Sequence, residues 1–322
     1  MSLSNMKVYD RQIYGATIEL LGQKTEQFNA NSGGAIVLSS QAWEGDFTKE
    51  SFYNQIASAQ RRVDRYAAIA AQAGTNLTQG ENVGVKVAGG FGPIVFEPSQ
   101  LTWLQRNPTE AVMAISEGFA DALLADQLNT ALAAAVAAVS GQAALVNDVS
   151  ATAGISLGAL NNSHAKFGDQ SQLLITDVMS GATYHKLIGQ ALTNANQLFV
   201  SSNVLVVDIL GKRYVVTDSP ALYEAGTPNK AKVLSVVAQG IVVDNTSDVI
   251  TNMETSNGKT RIETTWQADY SFGLKLKGYA WDVTNGGKSP TDAELATSSN
   301  WDKSVTENKH TLGTLAIVDA DL

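Results

Sequence analysis

The sequence predicts an α+β protein with two domains, and three features carry this prediction. A long alanine-rich helical stretch lies in the first half of the chain, a long alternating stretch lies near its end, and short strands and helices lie between them. The 322 residues, of which 44% are apolar, are enough to bury a sizeable core. At roughly 100 to 200 residues per domain, this length indicates two domains.

The composition excludes several kinds of chemistry. The chain has no cysteine, which removes disulfides, thiolate nucleophiles and cysteine-based zinc sites. Its 31 acidic and 22 basic residues give a net charge of −9, so no general attraction to phosphate backbones is expected. Residues 1–24 lack a secretory signal, and no uninterrupted apolar run approaches the roughly 18 residues of a membrane span. We expect a soluble protein made in the cytoplasm, with no cofactor and no membrane contact.

The first third of the chain is predicted to consist of an arm and an extended loop region. Residues 1–32 are polar without a clean hydrophobic period, which predicts an extended arm with one short helix. Apolar residues at spacings of three and four predict an amphipathic helix at 48–73. Valines alternating before a glycine-rich stretch, and apolar residues after it, predict a hairpin at 83–96 with Gly89, Gly90 and Gly92 at its tip.

Two elements of matching length are predicted in the body of the protein. Pro108 opens a helix at 107–141, whose second half is mostly alanine and whose length is about 50 Å at 1.5 Å per residue. Apolar and polar residues alternate over 262–276, which predicts a strand that is also about 50 Å long. We expect these two elements to lie against each other. The apolar phase flips after Gly278, which predicts a bend, and a final strand is predicted at 311–318.

Residues 142–254 are predicted to form an α+β block of their own. Its elements are a strand at 172–178, a helix at 180–192, a hairpin at 204–216 that turns near Gly211, and strands at 233–237 and 241–243. The last two strands are expected to pair with each other across Gln239 and Gly240.

Three patterns in the sequence resemble chemical sites. Residues 154–158 match the G-x-S-x-G nucleophile elbow around Ser156, but that motif needs a buried strand before the serine. Residues 147–153 are small and polar, so a loop leading into a short helix is favoured. The histidines lie in unrelated contexts without metal-ligand spacing, and they are His164, His185 and His310. The glycines at 84–92 match no phosphate-binding loop.

Several short segments, in a fixed order, resemble those of a known family. They are Phe167-Gly168-Asp169 before the strand that ends at Val178, Gly211 to Pro220, Lys275 to Asp282, and the tail from Ser289 to Lys303. Together with the order arm, extended loop, long helix, central block and long strand, they resemble the major capsid proteins of tailed phages with the Hong Kong 97-type fold. The family's Met-His-Ser helix start is absent, because Ser180 follows Met179 directly.

The resemblance implies an α+β capsid fold with an N-terminal arm at 1–32 and an extended loop region at 33–106. It further implies a peripheral domain at 107–141 plus 255–322, which holds the long spine helix, and an axial domain at 142–254. Such a subunit is not an enzyme. It assembles as hexamers and pentamers into an icosahedral shell around double-stranded DNA.

The resemblance also implies partners, namely many copies of the chain, a portal and a separate scaffolding protein, with shell strength from non-covalent contacts or a decoration protein. Arg61, Arg62 and Arg65 form the one local basic cluster, for which a solvated helix face and a contact with a neighbouring subunit both stay open. These arginines and the three hairpin glycines are the candidate assembly contacts. The alternatives are an encapsulin-type nanocompartment shell and a serine hydrolase that uses Ser156.

Overall fold

A computed structural model describes residues 3–39, 43–53, 60–74, 76–96, 108–198, 212–245, 249–258, 260 and 262–322. In chain order, the helices are α1 (Leu3–Asn31), α2 (Pro108–Ser140), α3 (Leu157–Ala165), α4 (Gly181–Leu198), α5 (Val283–Gly286) and α6 (Asp292–Leu295). The strands are β1 (Ile36–Ser39), β2 (Phe47–Tyr53), β3 (Gln79–Phe96), β4 (Val146–Asp148), β5 (Leu174–Met179), β6 (Arg213–Val216), β7 (Tyr223–Glu224), β8 (Lys230–Val237), β9 (Ile241–Asn245), β10 (Ile250–Ser256), β11 (Glu263–Leu276), β12 (Tyr279–Trp281), β13 (Trp301–Lys303) and β14 (Gly313–Asp319).

The first sheet is built around the long strand β11. Its strand order is β1-β9-β11-β3-β2. β9 pairs with residues 272–276 of β11, and β10 pairs with residues 263–269 of the same strand. β3 runs antiparallel along the other edge of β11, and β2 lies antiparallel outside β3. The parallel pair of β1 and β9 closes the opposite side. The strand predicted at 262–276 is therefore confirmed as the centre of a six-stranded sheet.

The long helix and the long strand lie against each other as predicted. Pro108 is the first residue of α2, where its missing N–H costs no hydrogen bond. The Tyr270 hydroxyl on β11 donates a hydrogen bond to Asp126 Oδ2 on α2 at 2.5 Å. The rings of Phe119 and Trp266 meet edge to face with centroids 5.3 Å apart. The helix predicted at 107–141 is thus confirmed, and its buried face forms part of the core with the sheet.

The N-terminal segment is a long helix, so the prediction of an extended arm with one short helix was wrong. α1 spans 29 residues and packs against α2. Thr17 and Leu21 are buried in this contact, and Lys24 forms an ion pair with Asp121 of α2. Among the residues of α1 whose burial is described, only this narrow stripe is buried, while Leu20 and Phe28 are partly buried and Ile18 is 46% exposed. A stripe this narrow gives little hydrophobic periodicity in the sequence.

The helix predicted at 48–73 is absent from the described residues. Its first part is β2, which pairs with β3 from Phe47 to Tyr53, and residues 54–59 lie outside the described part of the chain. Residues 60–74 contain neither helix nor strand. Val63, Tyr66 and Ile69 are 65%, 92% and 104% exposed, respectively. A short amphipathic helix depends on burying its apolar face, and no surface within the described residues covers this one.

The hairpin predicted around the glycine-rich stretch is one continuous strand, the 18-residue β3. Gly89 pairs with Tyr270, and a Cβ there would lie 2.6 Å from the tyrosine Cζ. Gly92 has φ of +104° at a bulge in the pairing, and a Cβ there would lie 2.7 Å from the Trp266 carbonyl oxygen. The glycines therefore make room for close packing on β11 and do not turn the chain.

The second sheet has the order β4-β14-β8-β5-β6, with β7 beside β8. The strand predicted at 172–178 and the helix predicted at 180–192 are confirmed as β5 and α4, although α4 extends further. Residues 204–211 of the hairpin predicted at 204–216 lie outside the described residues, and β6, its last part, pairs in parallel with β5. The final strand predicted at 311–318 is confirmed as β14.

The strands predicted at 233–237 and 241–243 exist but do not pair with each other. β8 pairs with β5 and β14 in the second sheet, whereas β9 pairs with β1 and β11 in the first. Gln239, at φ of +53°, and Gly240 carry the chain from one sheet to the other. A Cβ on Gly240 would lie 2.5 Å from Val236 Cγ1. The sequence signal for a tight turn was correct, and the pairing inferred from it was wrong.

Sheet membership also crosses the predicted domain boundaries. β9 and β10, predicted within the central block at 142–254, belong to the sheet of β11, and β14 belongs to the sheet of β8. The bend predicted after Gly278 is present, since this residue has φ of +77° and β12 leaves β11 to pair with β13. Trp281 and Trp301 face each other across that pair, with ring centroids 4.9 Å apart.

Candidate assembly surface

Residues 60–74, which we call the basic segment, are exposed along their whole length. Arg61, Arg62 and Arg65 all lie here. The segment holds its shape through local contacts: the Asp64 carboxylate accepts a hydrogen bond from the Tyr66 amide at 2.9 Å. Arg61 also donates to Gln72 Oε1, at 3.5 Å. The three guanidinium groups are thus presented to solvent.

The same segment exposes large apolar side chains between the arginines, namely Val63, Tyr66 and Ile69. Burying one such side chain is worth about 1.5–3 kcal/mol. Grouped exposed apolar residues with a polar rim are typical of surfaces that bind another protein. The basic segment therefore has the composition of an interface and lacks a partner within the described part of its own chain.

The six residues predicted as assembly contacts do not form one group in the fold. The three arginines lie on the basic segment, whereas Gly89, Gly90 and Gly92 lie within β3 and are paired with or adjacent to β11. The packing on β11 accounts for these glycines without a neighbouring subunit. Their role as contacts between subunits stays a prediction.

A groove of about 630 Å³ lies between α2, the turn before β7, and α6. Its polar side chains include the carboxylates of Asp126, Glu224 and Asp292 and the amine of Lys232. Glu224 Oε2 lies 2.7 Å from Lys232 Nζ, and this hydrogen bond holds the pKa of the glutamate below its ordinary value. The groove was not predicted, because its carboxylates are far apart in the sequence and no local pattern links them.

A second cavity, of about 410 Å³, opens at the end of the first sheet and contains an internal ion pair. Lys275 Nζ lies 3.1 Å from the buried Asp244 and 3.2 Å from Glu50. Burial lowers the pKa of Lys275, but the two carboxylates outweigh it and raise this pKa above its ordinary value. The Ser39 hydroxyl also donates to Asp244. These contacts join β1, β2, β9 and β11 and have a structural role.

Ser156 is a helix cap. Its Oγ accepts a hydrogen bond from the Ala159 amide at 3.1 Å, at the start of α3. β4 ends at Asp148, and turns fill the residues up to Gly154, so no strand leads directly into the serine. The favoured interpretation of a loop leading into a short helix is confirmed, and the elbow geometry is not formed.

A buried serine, histidine and aspartate do come together elsewhere, which sequence reasoning missed. His164 Nε2 lies 3.0 Å from Asp177 Oδ1 and 3.1 Å from Ser235 Oγ. A catalytic triad needs the serine and the carboxylate on opposite ring nitrogens, whereas both lie at Nε2 here. The three residues are at most 4% exposed. The cluster therefore satisfies buried polar groups between α3, β5 and β8.

Within the described ranges, no three or more histidine, cysteine, aspartate and glutamate residues form a group that could hold a metal ion. By length and composition alone, Ile115–Ser140 of α2 could cross a membrane. The stretch is not an uninterrupted apolar run, because Glu117, Asp121 and Asp126 lie within it. However, 61% of the most apolar window is buried inside the protein, as in the core helix of a globular fold.

An exposed surface of basic and large apolar side chains is typical of a structural subunit that contacts other chains. Over residues 5–315 the chain matches the family model described as major capsid protein 13-like (Gp13-like), and it belongs to this family. No curated protein matches the sequence.

Solved phage capsids share the fold. The capsid asymmetric unit of cyanophage Pam1 superposes with a TM-score of 0.54 at 13% identity and covers 88% of each chain. A chain of Mycobacterium phage Cain gives 0.51 at 10% identity over 88% of each chain. The acidic stable capsid of Helicobacter pylori bacteriophage KHP30 gives 0.50 at 9% identity over 90% of this chain and 89% of that one.

These comparisons confirm the predicted fold and role. The chain has the α+β fold of Hong Kong 97-type capsid proteins, and it is a non-enzymatic subunit of a virion shell built from many copies. The encapsulin alternative is not favoured, and Ser156 has no catalytic geometry.

Proposed function

We propose that copies of this chain form hexamers and pentamers, which close an icosahedral shell around packaged double-stranded DNA. The basic segment carries this proposal, because it exposes arginines and large apolar side chains that no described part of its own chain covers. Interfaces of ordinary size bury about 1,200–2,000 Å² in total. Each such contact adds to the stability of the folded subunit once copies associate.

The charge of the chain supports a container role. A net charge of −9 provides no general attraction to DNA phosphates, so packaged DNA is enclosed without being held tightly. Strong phosphate contacts would oppose the release of the DNA. The net charge of the whole chain therefore fits a shell that encloses DNA.

Within the shell, α2 and the first sheet form the peripheral domain, and the second sheet forms the axial domain at the centre of each capsomer. Assembly takes place in the host cytoplasm with a separate scaffolding protein and a portal. The chain has no cysteine, so disulfides cannot link its subunits. Shell strength then comes from non-covalent contacts or from a decoration protein.

The test is negative-stain electron microscopy with sedimentation velocity on the purified protein, alone and co-expressed with a candidate scaffolding protein. Closed polyhedral shells or ring-shaped capsomers are expected. A stable monomer or dimer under every condition would overturn the proposal. Shells that carry a cargo enzyme, from a locus without portal and terminase genes, would instead support the nanocompartment alternative.

A pair of variants tests the part played by the basic segment. Ile69→Asp places a charge on a fully exposed apolar side chain, so the isolated subunit should melt as the wild type does while shell formation is lost. Ile69→Leu keeps the apolar surface and serves as the matched control. Normal shells from Ile69→Asp would show that the segment is not an interface.

A further inference from the structure

The chain contains two Asn-Gly pairs, and the structure places them in opposite surroundings. Asn257-Gly258 lies between β10 and β11, whereas Asn285-Gly286 lies in α5. An asparagine followed by glycine is especially prone to lose its side-chain amide, because glycine has no Cβ to keep its backbone nitrogen away from the asparagine side chain. Since the dipeptide is the same at both places, a difference in reactivity between them comes chiefly from the fold.

The first pair is exposed and lies outside the sheet. Ser256 and Glu263 form the last pair of the β10–β11 ladder, so Asn257 and Gly258 lie in the loop beyond it. Both residues are exposed, and no hydrogen bond among the described residues holds either of them. Gly258 has φ of +89°, and a Cβ built on it would meet nothing within 4 Å. The loop therefore leaves the Gly258 nitrogen free to approach the Asn257 side chain.

The second pair is held by the capping residue of α5. The side-chain amide of Asn285 donates to Asp282 Oδ2, and its backbone N–H donates to Asp282 Oδ1 at 3.2 Å. The Gly286 N–H donates to the Asp282 carbonyl oxygen at 2.8 Å. Gly286 is also buried, and a Cβ there would lie 2.1 Å from Trp281 Cζ2. Hydrogen bonds thus hold both the amide that would leave and the nitrogen that would attack.

The reaction at the first pair needs water and no other reactant. The Gly258 nitrogen gives up its proton and attacks Asn257 Cγ, which forms an N–Cγ bond and closes a succinimide ring. The bond from Cγ to Nδ2 then breaks, and ammonia leaves with the returned proton. Water opens the ring at Cγ to give aspartate, or at the main-chain carbonyl to give isoaspartate, and the Gly258 nitrogen regains its hydrogen. In total, water is consumed, ammonia is released and a neutral amide becomes a carboxylate.

We propose that Asn257 deamidates spontaneously in the folded protein, whereas α5 protects Asn285. Each converted copy gains one negative charge at the tip of the β10–β11 hairpin, in a chain whose net charge is −9. Where isoaspartate forms, the main chain of the loop also gains a methylene group. The tip is thus a modification site whose converted fraction rises with the age of the protein. The reaction needs only the folded subunit and does not depend on the proposed shell function.

The test is a time course on the purified full chain at neutral pH, followed by tryptic digestion and mass spectrometry. Trypsin releases residues 233–259 and 278–288 as separate peptides, and fragmentation locates the mass gain of an acid over an amide. Digestion in water labelled with heavy oxygen marks any conversion that occurs during preparation. The acid should accumulate at Asn257. Asn285 should convert about tenfold or more slowly, because its hydrogen bonds must break before the ring can close.

Unfolding provides the matched control. In guanidinium chloride the hydrogen bonds of α5 are lost, so the rates at Asn257 and Asn285 should converge. Asp282→Ala removes the cap and the partner of the Asn285 amide, so it should speed conversion of Asn285 in the folded protein. Asn257→Gln keeps an amide but needs a larger and less favoured ring. The acidic band that the wild type develops on isoelectric focusing should therefore be absent from this variant, and melting checks that each variant folds.

Two results would overturn the proposal. Equal rates at Asn257 and Asn285 in the folded protein would show that α5 gives no protection. No acid at Asn257 in the folded protein, after its conversion is complete in guanidinium chloride, would show that the loop holds this residue in an unreactive conformation. Neither result bears on whether copies of the chain form shells, so the modification and the proposed function are tested separately.

Discussion

Gly313 is the position where one added methyl group should damage the fold most. It lies at the start of β14, pairs with Val236 of β8 and has φ of +156°. A Cβ there would lie 1.8 Å from the Ser235 carbonyl oxygen, which belongs to the backbone and cannot rotate away. We expect Gly313→Ala to destabilise the subunit strongly.

The magnitude follows from the contact that must be relieved. An ordinary contact between the added Cβ and this oxygen is at least about 3.4 Å, so β14 and β8 must separate by roughly 1.6 Å, a third of the strand spacing of about 4.8 Å. Such a shift breaks the hydrogen bonds between β14 and β8 at the Gly313 end of the pair. It also exposes buried residues of the second sheet. Two or three lost hydrogen bonds and the loosened packing together cost about 3–5 kcal/mol. At about 2–3 °C for each kcal/mol in a chain of this size, the melting temperature falls by roughly 6–15 °C.

The assay is thermal unfolding of the isolated subunit by circular dichroism. Gly189→Ala is the matched control, since Gly189 is an exposed residue of α4 and a Cβ there would meet nothing within 4 Å. Alanine in a helix is favoured over glycine by about 1 kcal/mol, so this control should melt at or above the wild-type temperature. A Gly313→Ala subunit that melts within about 2 °C of the wild type would refute the argument from the backbone clash.

Three further predictions concern polar contacts. Tyr270→Phe removes the hydrogen bond to Asp126 and should cost about 1–2 kcal/mol, measured by urea unfolding, and an unchanged midpoint would contradict a role in joining α2 to the sheet. Burial raises the pKa of Asp148, but two hydrogen bonds from Ser150, at 2.6 and 3.0 Å, outweigh it and leave this pKa below its ordinary value. The resulting stabilisation is complete above the ordinary pKa of roughly 3.9 and is lost as the pH falls through the lowered value. Ser150→Ala should therefore raise the Asp148 pKa in an NMR titration, and no change would count against these bonds as the cause. Ser156→Ala should cost about 1 kcal/mol of stability through the lost cap and leave ester hydrolysis unchanged from background, whereas loss of a measurable turnover would revive the hydrolase alternative.

Elements whose pattern is set by their own residues could be predicted from the sequence. The helix α2 is long, rich in alanine and opened by Pro108, and β11 alternates over its whole length, so both were predicted nearly to the residue. The packing of α2 against β11 was predicted from their matching lengths, about 50 Å each. The bend at Gly278 was likewise visible in the phase of the apolar residues.

Elements that depend on a distant partner could not be predicted. The glycines of β3 look like a turn in isolation, and only the aromatic side chains of β11 explain why glycine is needed there. Residues 48–73 have helical spacing, yet Phe47–Tyr53 form a strand because β3 offers a pairing edge. The groove joins residues 126, 219, 224 and 292, which no local pattern relates.

The two sheets are interleaved along the chain and share one hydrophobic cluster. The chain passes from the first sheet to the second between β3 and β4, returns at Gln239 and Gly240, and crosses again between β11 and β14. A single hydrophobic cluster contains Phe272 of the first sheet, Leu315 of the second and Leu132 of α2 between them. Because neither sheet can lose its packing without exposing the shared cluster, the described body of the subunit should melt in one transition. A Gly313→Ala subunit should keep that single transition at a lower temperature, and two separate transitions would show that the sheets unfold independently.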